Sequence, residues 1–313
     1  MTTSPAATEP GEPRTSGDDP LVSIVMPARN CGSLIADAIR SVRAQTYTNW
    51  ELLIADDGST DDTAAVLGAI RDGRIRVSAD GRQRGAAARL NELLHAAKGS
   101  YAARLDADDL MHPRRIERQL RTLQRCPDVD VLGTTDVMFL GRDELVGRTR
   151  SVIPAPYTRA AALSGVQPNG PTVMGATRFF RSNPYDPDYR RSEDLELACR
   201  TAPTARFASL DEDLYFYREF HSPKPRKYVL GYLMTDRILR VYGPAEVGRI
   251  RTMGLRLRNS LAMARSVSLI LGGGHTWLVR RGTERLSSAA EAEARQALET
   301  IYSTDVSGLD PTR

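Results

Sequence analysis

Three aspartates stand close together near the middle of the chain, at Asp106, Asp108 and Asp109. They directly follow a short apolar segment, residues 101–105, whose pattern predicts a β-strand. Carboxylates this close together repel one another unless a cation lies among them. Mg²⁺ and Mn²⁺ prefer oxygen ligands and often share a protein carboxylate with substrate phosphates. The spacing therefore indicates a metal-bridged phosphate site, although a solvated loop or a helix N-cap can have the same composition.

The segments around this cluster alternate between strand and helix patterns. Strand patterns occupy residues 21–26, 50–55, 74–78 and 101–105. Helix patterns occupy residues 33–44, the segment ending at Ile70, 86–97, and 113–125, which has proline at its first position. This order predicts an α/β fold, a Rossmann-like and mostly parallel sheet with helices on both faces.

Polar loops follow three of these strands, at residues 27–30, 56–59 and 106–109. In open parallel sheets, ligands bind beyond the carboxyl ends of the strands. We therefore expect the three loops to meet at one edge of the sheet and to form one site.

The alternation weakens beyond residue 127. The patterns predict strands at 129–132, 135–140 and 172–181, an irregular insertion or lid at 142–170, a helix at 191–200 capped by Ser192 with Leu195 and Cys199 facing inward, and a strand pair around an acidic turn at 206–217. The expected division is a disordered tail at 1–20, a main domain at 21–222 and a helical C-terminal region at 223–313.

An apolar stripe runs through residues 247–265 of the helical region. It consists of Ile250, Met253, Leu257, Leu261 and Ala264, with Arg249 and Arg256 on one side and Arg251, Arg258 and Arg265 on the other. We expect this helix to pack against the main domain through the stripe. A homodimer contact or an anionic membrane surface is the alternative, because arginine-flanked apolar stripes can lie at an interface.

The composition excludes several classes of protein. The net charge of +4 and the 6% aromatic content argue against nucleic-acid binding, although 40 of the 43 basic residues are arginine, which suits phosphate recognition. Three cysteines fit neither a disulfide framework nor a zinc site. No segment reads as a membrane span or a signal peptide, so the expected location is the cytoplasm, with peripheral membrane contact through the C-terminal helices as the open alternative.

Six motifs in order carry a resemblance to a known family. They are SIVMPARN at 23–30, SVRAQTY at 41–47, ELLIADDGSTD at 51–61, GAAARLN at 85–91 with AKGSY at 97–101, LDADD at 105–109, and SEDLELACR at 192–200. Over residues 21–221 the chain resembles the inverting nucleotide-sugar glycosyltransferases of family 2, which have the GT-A fold.

The resemblance implies a nucleotide pocket on the first half of the sheet. Asp57 would accept a hydrogen bond from the imide N–H of uracil, and Pro27 and Arg29 would form another wall. Arg84 or Arg89 would reach the base or the phosphates. A purely structural role is the alternative for Asp57, which with Ser59 could cap the following helix.

The resemblance also implies a divalent ion, Mn²⁺ or Mg²⁺, that neutralises the donor diphosphate. Asp108 is the first choice for a ligand, with Asp109 as a further ligand and Asp106 directed toward the ribose or a metal-bound water. His221 matches loosely a family histidine near the diphosphate, but two residues rather than one separate it from the preceding Tyr-Arg pair.

Asp194 matches the general base of the family, and Glu193 would orient the acceptor. The base would take a proton from an acceptor hydroxyl as its oxygen attacks the anomeric carbon, in one displacement that inverts the configuration. Alternatively, both are first-turn acids favoured by the helix dipole. UDP is the expected nucleotide with GDP open, and the acceptor can be a glycan, a lipid-linked sugar, a small natural product or a peptide.

Two other functions compete with glycosyl transfer. A sugar-nucleotide nucleotidyltransferase shares the sheet and the acidic site, but it usually has a glycine-rich phosphate loop after the first strand, where this chain has Pro27-Ala-Arg-Asn30. A non-catalytic nucleotide-sugar binder would be indicated by loss of Asp194 or of the aspartates at 106 and 108, and all three are present.

Overall fold

A computed structural model describes residues 19–149, 152–220 and 225–309. Within these residues one sheet contains the strands β1 (Val22–Ala28), β2 (Trp50–Asp56), β3 (Ile75–Ala79), β4 (Tyr101–Arg104), β5 (Leu110–Met111), β6 (Val131–Leu140), β7 (Glu144–Thr149), β8 (Met174–Ala176) and β9 (Phe207–Glu219). The helices are α1 (Ile35–Arg43), α2 (Thr63–Ala69), α3 (Ala86–Ala96), α4 (Arg115–Arg125), α5 (Arg159–Leu163), α6 (Thr177–Ser182), α7 (Glu193–Thr201), α8 (Pro225–Glu246), α9 (Arg249–Leu271), α10 (His275–Gly282) and α11 (Ser288–Ser303).

The sheet order is β3-β2-β1-β4-β8-β6-β9-β5, and β7 pairs with β6. Strands β3, β2, β1 and β4 are parallel neighbours, and β6 is parallel to β9, whereas β5, β7 and β8 run antiparallel to their partners. The prediction of a mostly parallel α/β sheet is confirmed.

Alternate side chains of the central strands enter two cores on opposite faces of the sheet. Ile24 and Met26 of β1 lie in the core that contains α1 and α4, whereas Val25 lies in the core that contains α3 and α7. This alternation follows from the period of two along a strand, and it places helices on both faces as predicted.

Several predicted boundaries are wrong in the second half of the chain. The strands expected at 129–132 and 135–140 are one strand, β6, and the pair expected around an acidic turn at 206–217 is also one strand, β9, which shifts register against β6. The strand expected at 172–181 has three residues and then becomes helix α6. Helix α4 begins at Arg115, with Pro113 before its N-cap.

The segment 142–170 is not wholly irregular. Its first part forms β7, which pairs antiparallel with β6, and its later part forms α5, where the side chain of Thr158 accepts a hydrogen bond from the Ala161 N–H. Residues 150 and 151 lie outside the described residues, as does the expected tail at 1–18.

The C-terminal region is helical and returns to the main domain. Ala297, Leu298 and Ile301 of α11 pack in one core cluster with Phe139 and Phe216 of the sheet. Ile238 and Leu239 of α8 are buried in the core beside α3 and α7.

Helix α9 does not pack through its apolar stripe, so that prediction is wrong. Ile250 is 88% exposed, Met253 is 68% exposed, and Leu257 and Leu261 are 62% exposed. Among the helices that the structure describes, none combines the length and apolar character needed to cross a membrane.

Candidate active site

The three polar loops meet at one edge of the sheet because β2, β1 and β4 are parallel neighbours. Hydrogen bonds tie the first two loops together: the Asp57 N–H donates to the Ala28 carbonyl (2.8 Å), the Asn30 N–H to Ser59 Oγ (3.0 Å), and the Thr60 N–H to Asn30 Oδ1 (2.8 Å). This convergence was expected from the strand order.

Asp57 is fixed by the loop that precedes α3. Its carboxylate accepts hydrogen bonds from the Arg84 N–H (2.6 Å) and the Gly85 N–H (3.0 Å), and Gly85 has a φ of 91°, which glycine adopts without strain. Asp57 does not cap α2, whose N-cap residue is Asp62 and lacks a side-chain bond. The capping alternative therefore does not apply to Asp57.

Arg89 is a buried support for Asp57. Its Nε donates to Asp57 Oδ1 (3.1 Å), its Nη1 to Glu92 (2.8 Å), and its Nη2 to Asp80 and to the Arg82 carbonyl, and the side chain is 1% exposed. All three guanidinium nitrogens are thus engaged within the protein.

The other residues expected at the nucleotide are more open. Arg84 pairs with Asp80, and its side chain is 49% exposed. Arg29 is exposed and Pro27 is half-buried at the end of β1. They stand at the same edge of the sheet as Asp57.

The acidic cluster can hold an ion. One carboxylate oxygen from each of Asp106, Asp108 and Asp109 lies within 4.8 Å of the others. Asp109 is the most constrained of the three: its Oδ2 accepts from the Tyr215 hydroxyl (2.8 Å) and its Oδ1 from the Arg218 N–H (2.7 Å). Burial and the neighbouring aspartates hold the pKa of Asp109 well above its usual value.

Asp108 differs because its carboxylate receives a hydrogen bond from its own main-chain N–H rather than from another part of the fold. Burial, and then the charge of Asp106, raise the pKa of Asp108 to about 6. Arg218 approaches only its backbone, with Nε donating to the Asp108 carbonyl (2.8 Å). A partly buried carboxylate that is also destabilised by a like charge fits a divalent cation, which would relieve both the burial cost and the repulsion.

Arg104, at the end of β4, connects the acidic cluster to α7. Its Nε donates to Asp106 Oδ1 (2.9 Å), and its Nη1 lies 2.9 Å from Glu193 Oε1. Both ion pairs are largely withdrawn from solvent on the arginine side, where 7% of the side chain is exposed. Glu193 is therefore held by the last residue of β4.

Asp194 lies in the first turn of α7. Its Oδ1 accepts from the Leu195 N–H (2.8 Å), and its Oδ2 lies so close to Gly170 that a Cβ there would be 2.6 Å away. Burial and then Glu193 raise the pKa of Asp194 to about 6. The prediction that the Ser192 side chain caps α7 is wrong: Ser192 adopts a left-handed conformation (φ 59°) and makes no side-chain hydrogen bond to the helix N-terminus. The prediction that Leu195 and Cys199 face inward is confirmed, since both are buried.

One pocket of 1070 Å³ brings Asp108 and Asp194 together. Asn30, Asp136, Tyr217 and Glu219 also line it, and residues of α8 and α9 form its far wall. Its lining does not include Asp57, Arg84 or Arg89, which lie at the neighbouring part of the sheet edge. His221 lies outside the described residues.

The residues that sequence reasoning missed are Arg104, Tyr215 and Arg218. In a chain with 40 arginines, an arginine carries little signal by itself. Arg104 immediately precedes the LDADD motif and Arg218 follows Tyr217, so adjacency to a motif was the available signal.

Comparisons with known proteins identify the family of the chain. The family model "Glycosyl transferase family 2" matches residues 23–187, so the chain belongs to that family. EpsE of Bacillus subtilis (strain 168), provisionally named a glycosyltransferase, is 34% identical over 207 residues, which are 64% of this chain and 73% of EpsE. The chain is a family 2 glycosyltransferase.

A second relative carries a more specific name. The UDP-Glc:alpha-D-GlcNAc-diphosphoundecaprenol beta-1,3-glucosyltransferase WfgD of Escherichia coli is 42% identical over 103 residues. That match covers 33% of this chain and 41% of WfgD.

Solved structures share the GT-A fold at low sequence identity. Residues 1-349 of S. aureus TarS, solved with UDP-GlcNAc, superpose with a TM-score of 0.56 at 17% identity, over 90% of this chain and 91% of that chain. The mannosyltransferase PcManGT of Pyrobaculum calidifontis, solved with GDP-Man and Mn²⁺, gives a TM-score of 0.56 at 14% identity, over 91% and 86%.

Proposed function

We propose that this chain transfers a sugar from a UDP-sugar to an acceptor hydroxyl, with inversion at the anomeric carbon and with Asp194 as the general base. The supporting observation is the pocket that Asp108 and Asp194 share. In that pocket each of the two carboxylates has a pKa raised to about 6. One would face the leaving diphosphate and the other the incoming nucleophile.

The donor assignment rests on the nucleotide loops and on the relatives. Asp57 is held in place by Arg89 and two backbone N–H groups, so it would present a fixed acceptor to the imide N–H of uracil. Pro27, Arg29 and Arg84 would complete the walls. TarS was solved with UDP-GlcNAc and WfgD is named for UDP-Glc, which favours UDP over GDP.

Asp108 would be the first ligand of Mn²⁺ or Mg²⁺, with Asp109 as a further ligand, and Asp106 would face the ribose or a metal-bound water. When bound, the ion neutralises charge on the leaving nucleoside diphosphate. Metal-bound neighbours with the same fold, such as PcManGT with Mn²⁺, support this assignment. A role for His221 at the metal or diphosphate stays a prediction.

In the reaction, Asp194 would accept the proton of the acceptor hydroxyl while the oxygen forms its bond to the anomeric carbon. The bond from that carbon to the diphosphate breaks in the same step, and entry from the opposite face inverts the configuration. General-base help of this kind contributes about 10²–10⁴-fold in rate. Glu193, held by Arg104, would orient the acceptor rather than take the proton.

The acceptor is proposed to be a lipid-linked sugar. WfgD, by its printed name, acts on a sugar joined to diphosphoundecaprenol. In this chain residues of α8 and α9 line the same 1070 Å³ pocket as Asp194, so these helices would contact the acceptor.

The test is a screen of UDP- and GDP-sugars with Mn²⁺ by thermal shift, followed by assay of UDP release. A transferase should release UDP slowly by hydrolysis when no acceptor is present. Release of pyrophosphate from a nucleoside triphosphate would instead indicate a nucleotidyltransferase. Absence of both reactions, with donor binding retained, would contradict the proposal.

A further inference from the structure

Helix α9 is built with its apolar residues outward. Its buried positions include Thr252 and Ser266, which are satisfied by hydrogen bonds to the Gly248 carbonyl (2.8 Å) and the Tyr232 hydroxyl (2.9 Å). Leu255 is also buried, in the core cluster beside α3 and α7, but the large apolar side chains of the stripe are exposed, and the row continues to Leu271, which is 74% exposed. A helix that only supports the core would bury such a continuous apolar row, so this face is built to be covered.

A row of positive charge accompanies the apolar row. Arg251, Arg258 and Arg265 recur every seven residues, each directly after a stripe position, and α9 contains no aspartate or glutamate. Among the described residues, the side chains of Arg251 and Arg265 have no recorded ion-pair partner. The nearby Asp236 of α8 is already paired with Arg240 and Arg256.

From these observations we infer that the outward face of α9 docks on an anionic lipid bilayer. An arginine-flanked apolar helix face lies in the interfacial plane, with its apolar side chains among the acyl chains and its arginines at the head groups. Trp277 of the following helix α10 is 52% exposed and is stacked by Arg281, a pairing suited to the same interface.

The charge pattern favours a bilayer over a second copy of the chain. A two-fold contact through this face would place the same arginine row of both copies at one interface. Helix α9 offers no carboxylate to offset that repulsion, whereas phosphate head groups would.

The docking face adjoins the pocket. Arg258 and Ala262 line both the pocket that contains Asp194 and a shallow groove on α9 that includes Leu257, Leu261 and Arg265. This step rests on the proposed function. An enzyme docked on the bilayer through α9 would bind the head group of a lipid-linked acceptor beside Arg258, while the lipid tail stays in the bilayer.

The test is co-sedimentation of the full chain with phosphatidylcholine vesicles, with or without about one-third phosphatidylglycerol. We expect binding to the anionic vesicles that weakens with salt. Leu257→Asp combined with Leu261→Asp should lower the partition coefficient by at least about tenfold. Arg251→Gln combined with Arg265→Gln should lower it by about fivefold for each charge on anionic vesicles.

Matched controls lie elsewhere on the surface. Val77→Asp on the edge strand β3 and Arg121→Gln on α4 change an exposed valine and an exposed arginine, and they should leave vesicle binding unchanged. All variants should keep the thermal shift caused by UDP, because none of the changed residues lines the pocket. Vesicle binding requires neither donor nor metal, so its outcome is independent of the transfer reaction.

Two results would overturn the inference. One is wild-type protein that does not bind anionic vesicles, or α9 variants that bind as well as the controls. The other is a wild-type dimer, measured by light scattering, that becomes monomeric in the Leu257/Leu261 variant, because a second copy would then cover the face.

Discussion

Two acidic groups face the pocket, one after β4 and one at the start of α7, and they differ in what holds their carboxylates. After β4, two neutral groups donate hydrogen bonds to Asp109: the Tyr215 hydroxyl and the main-chain N–H of Arg218. At α7, the guanidinium of Arg104 holds Glu193. In both groups the adjacent carboxylate, Asp108 or Asp194, has a pKa raised to about 6.

The difference shows how one site can keep two carboxylates available for different tasks. In the β4 group, Arg104 pairs with Asp106, while Asp109 is held by neutral donors only, so part of the negative charge of this group is not offset by an ion pair, which suits a cation. The same arginine pairs with Glu193 in the α7 group and leaves Asp194 to exchange a proton. In each group one carboxylate, Asp109 or Glu193, is held by another part of the fold, and a neighbour, Asp108 or Asp194, lines the pocket.

The largest expected effect is on turnover. Asp194→Asn should reduce transfer by at least about a hundredfold, because the proposed general base is lost while the shape of the side chain is kept. The measurement is UDP release with acceptor, alongside UDP affinity by calorimetry, which should change little. The exposed Asp188→Asn is a matched control, and full transfer by the Asp194 variant would remove this residue from the mechanism.

The next effect is on donor binding. Asp108→Ala should abolish the part of UDP affinity that depends on Mn²⁺, a loss of at least about tenfold, since even a residue that merely supports a metal ligand contributes about 10–100-fold. Calorimetric titrations with and without Mn²⁺ measure it. Equal Mn²⁺ dependence in the variant and the wild type would show that Asp108 is not a ligand.

A smaller effect concerns pH. A general base must be deprotonated, so turnover should rise with pH through about 6, the raised pKa of Asp194, and level off above it. From pH 7 to pH 5 the expected loss is about tenfold. The profile is to be measured at saturating donor and Mn²⁺, with UDP binding followed at each pH to separate the titration of Asp108. A flat profile would contradict the assignment.

The last expected difference is in the free energy of unfolding without metal. Asp109→Ala leaves the buried Tyr215 hydroxyl without its acceptor and should lower stability by about 1–3 kcal/mol. Asp108→Asn should not lower it: the folded-state pKa of Asp108 is raised, so its charge reduces stability as pH rises from 3.8 through about 6. Urea midpoints near neutral pH measure both, and equal losses would mean that Asp108 is also held.

The first half of the fold was predictable from sequence because its strands follow simple patterns. Strands β1, β2 and β4 are short and mostly apolar, and β3 alternates apolar and polar residues; each was placed within about two residues, an ordinary boundary error. The order of the parallel strands then determines that the loops meet at one edge of the sheet, so this could be predicted without knowing any side-chain contact.

The second half was less predictable because side-chain pairs override local pattern. Asp211 and Asp213 suggested a turn, but both pair with Arg148, while Glu212 pairs with Arg118, so β9 continues through them. Similarly, the stripe on α9 was read correctly as one face of a helix, yet the sequence carries no information on whether that face meets protein or solvent.

The sequence motifs predicted the positions of the acidic site residues, but not the arginines that form ion pairs with them. Asp57, Asp108 and Asp194 stand where their motifs placed them, at the carboxyl ends of strands or at the start of a helix. Arg89 and Arg104 are supports inside the protein, and their burial depends on contacts across the fold, between β4 and α7 for Arg104.

The contact between Gly170 and Asp194 sets a limit on natural variation. Position 170 has room for a hydrogen atom only, since a methyl group there would overlap Asp194 Oδ2. An alanine at position 170 would displace the Asp194 carboxylate. A homologue with this one substitution could therefore lose activity although every acidic residue of its motifs is present.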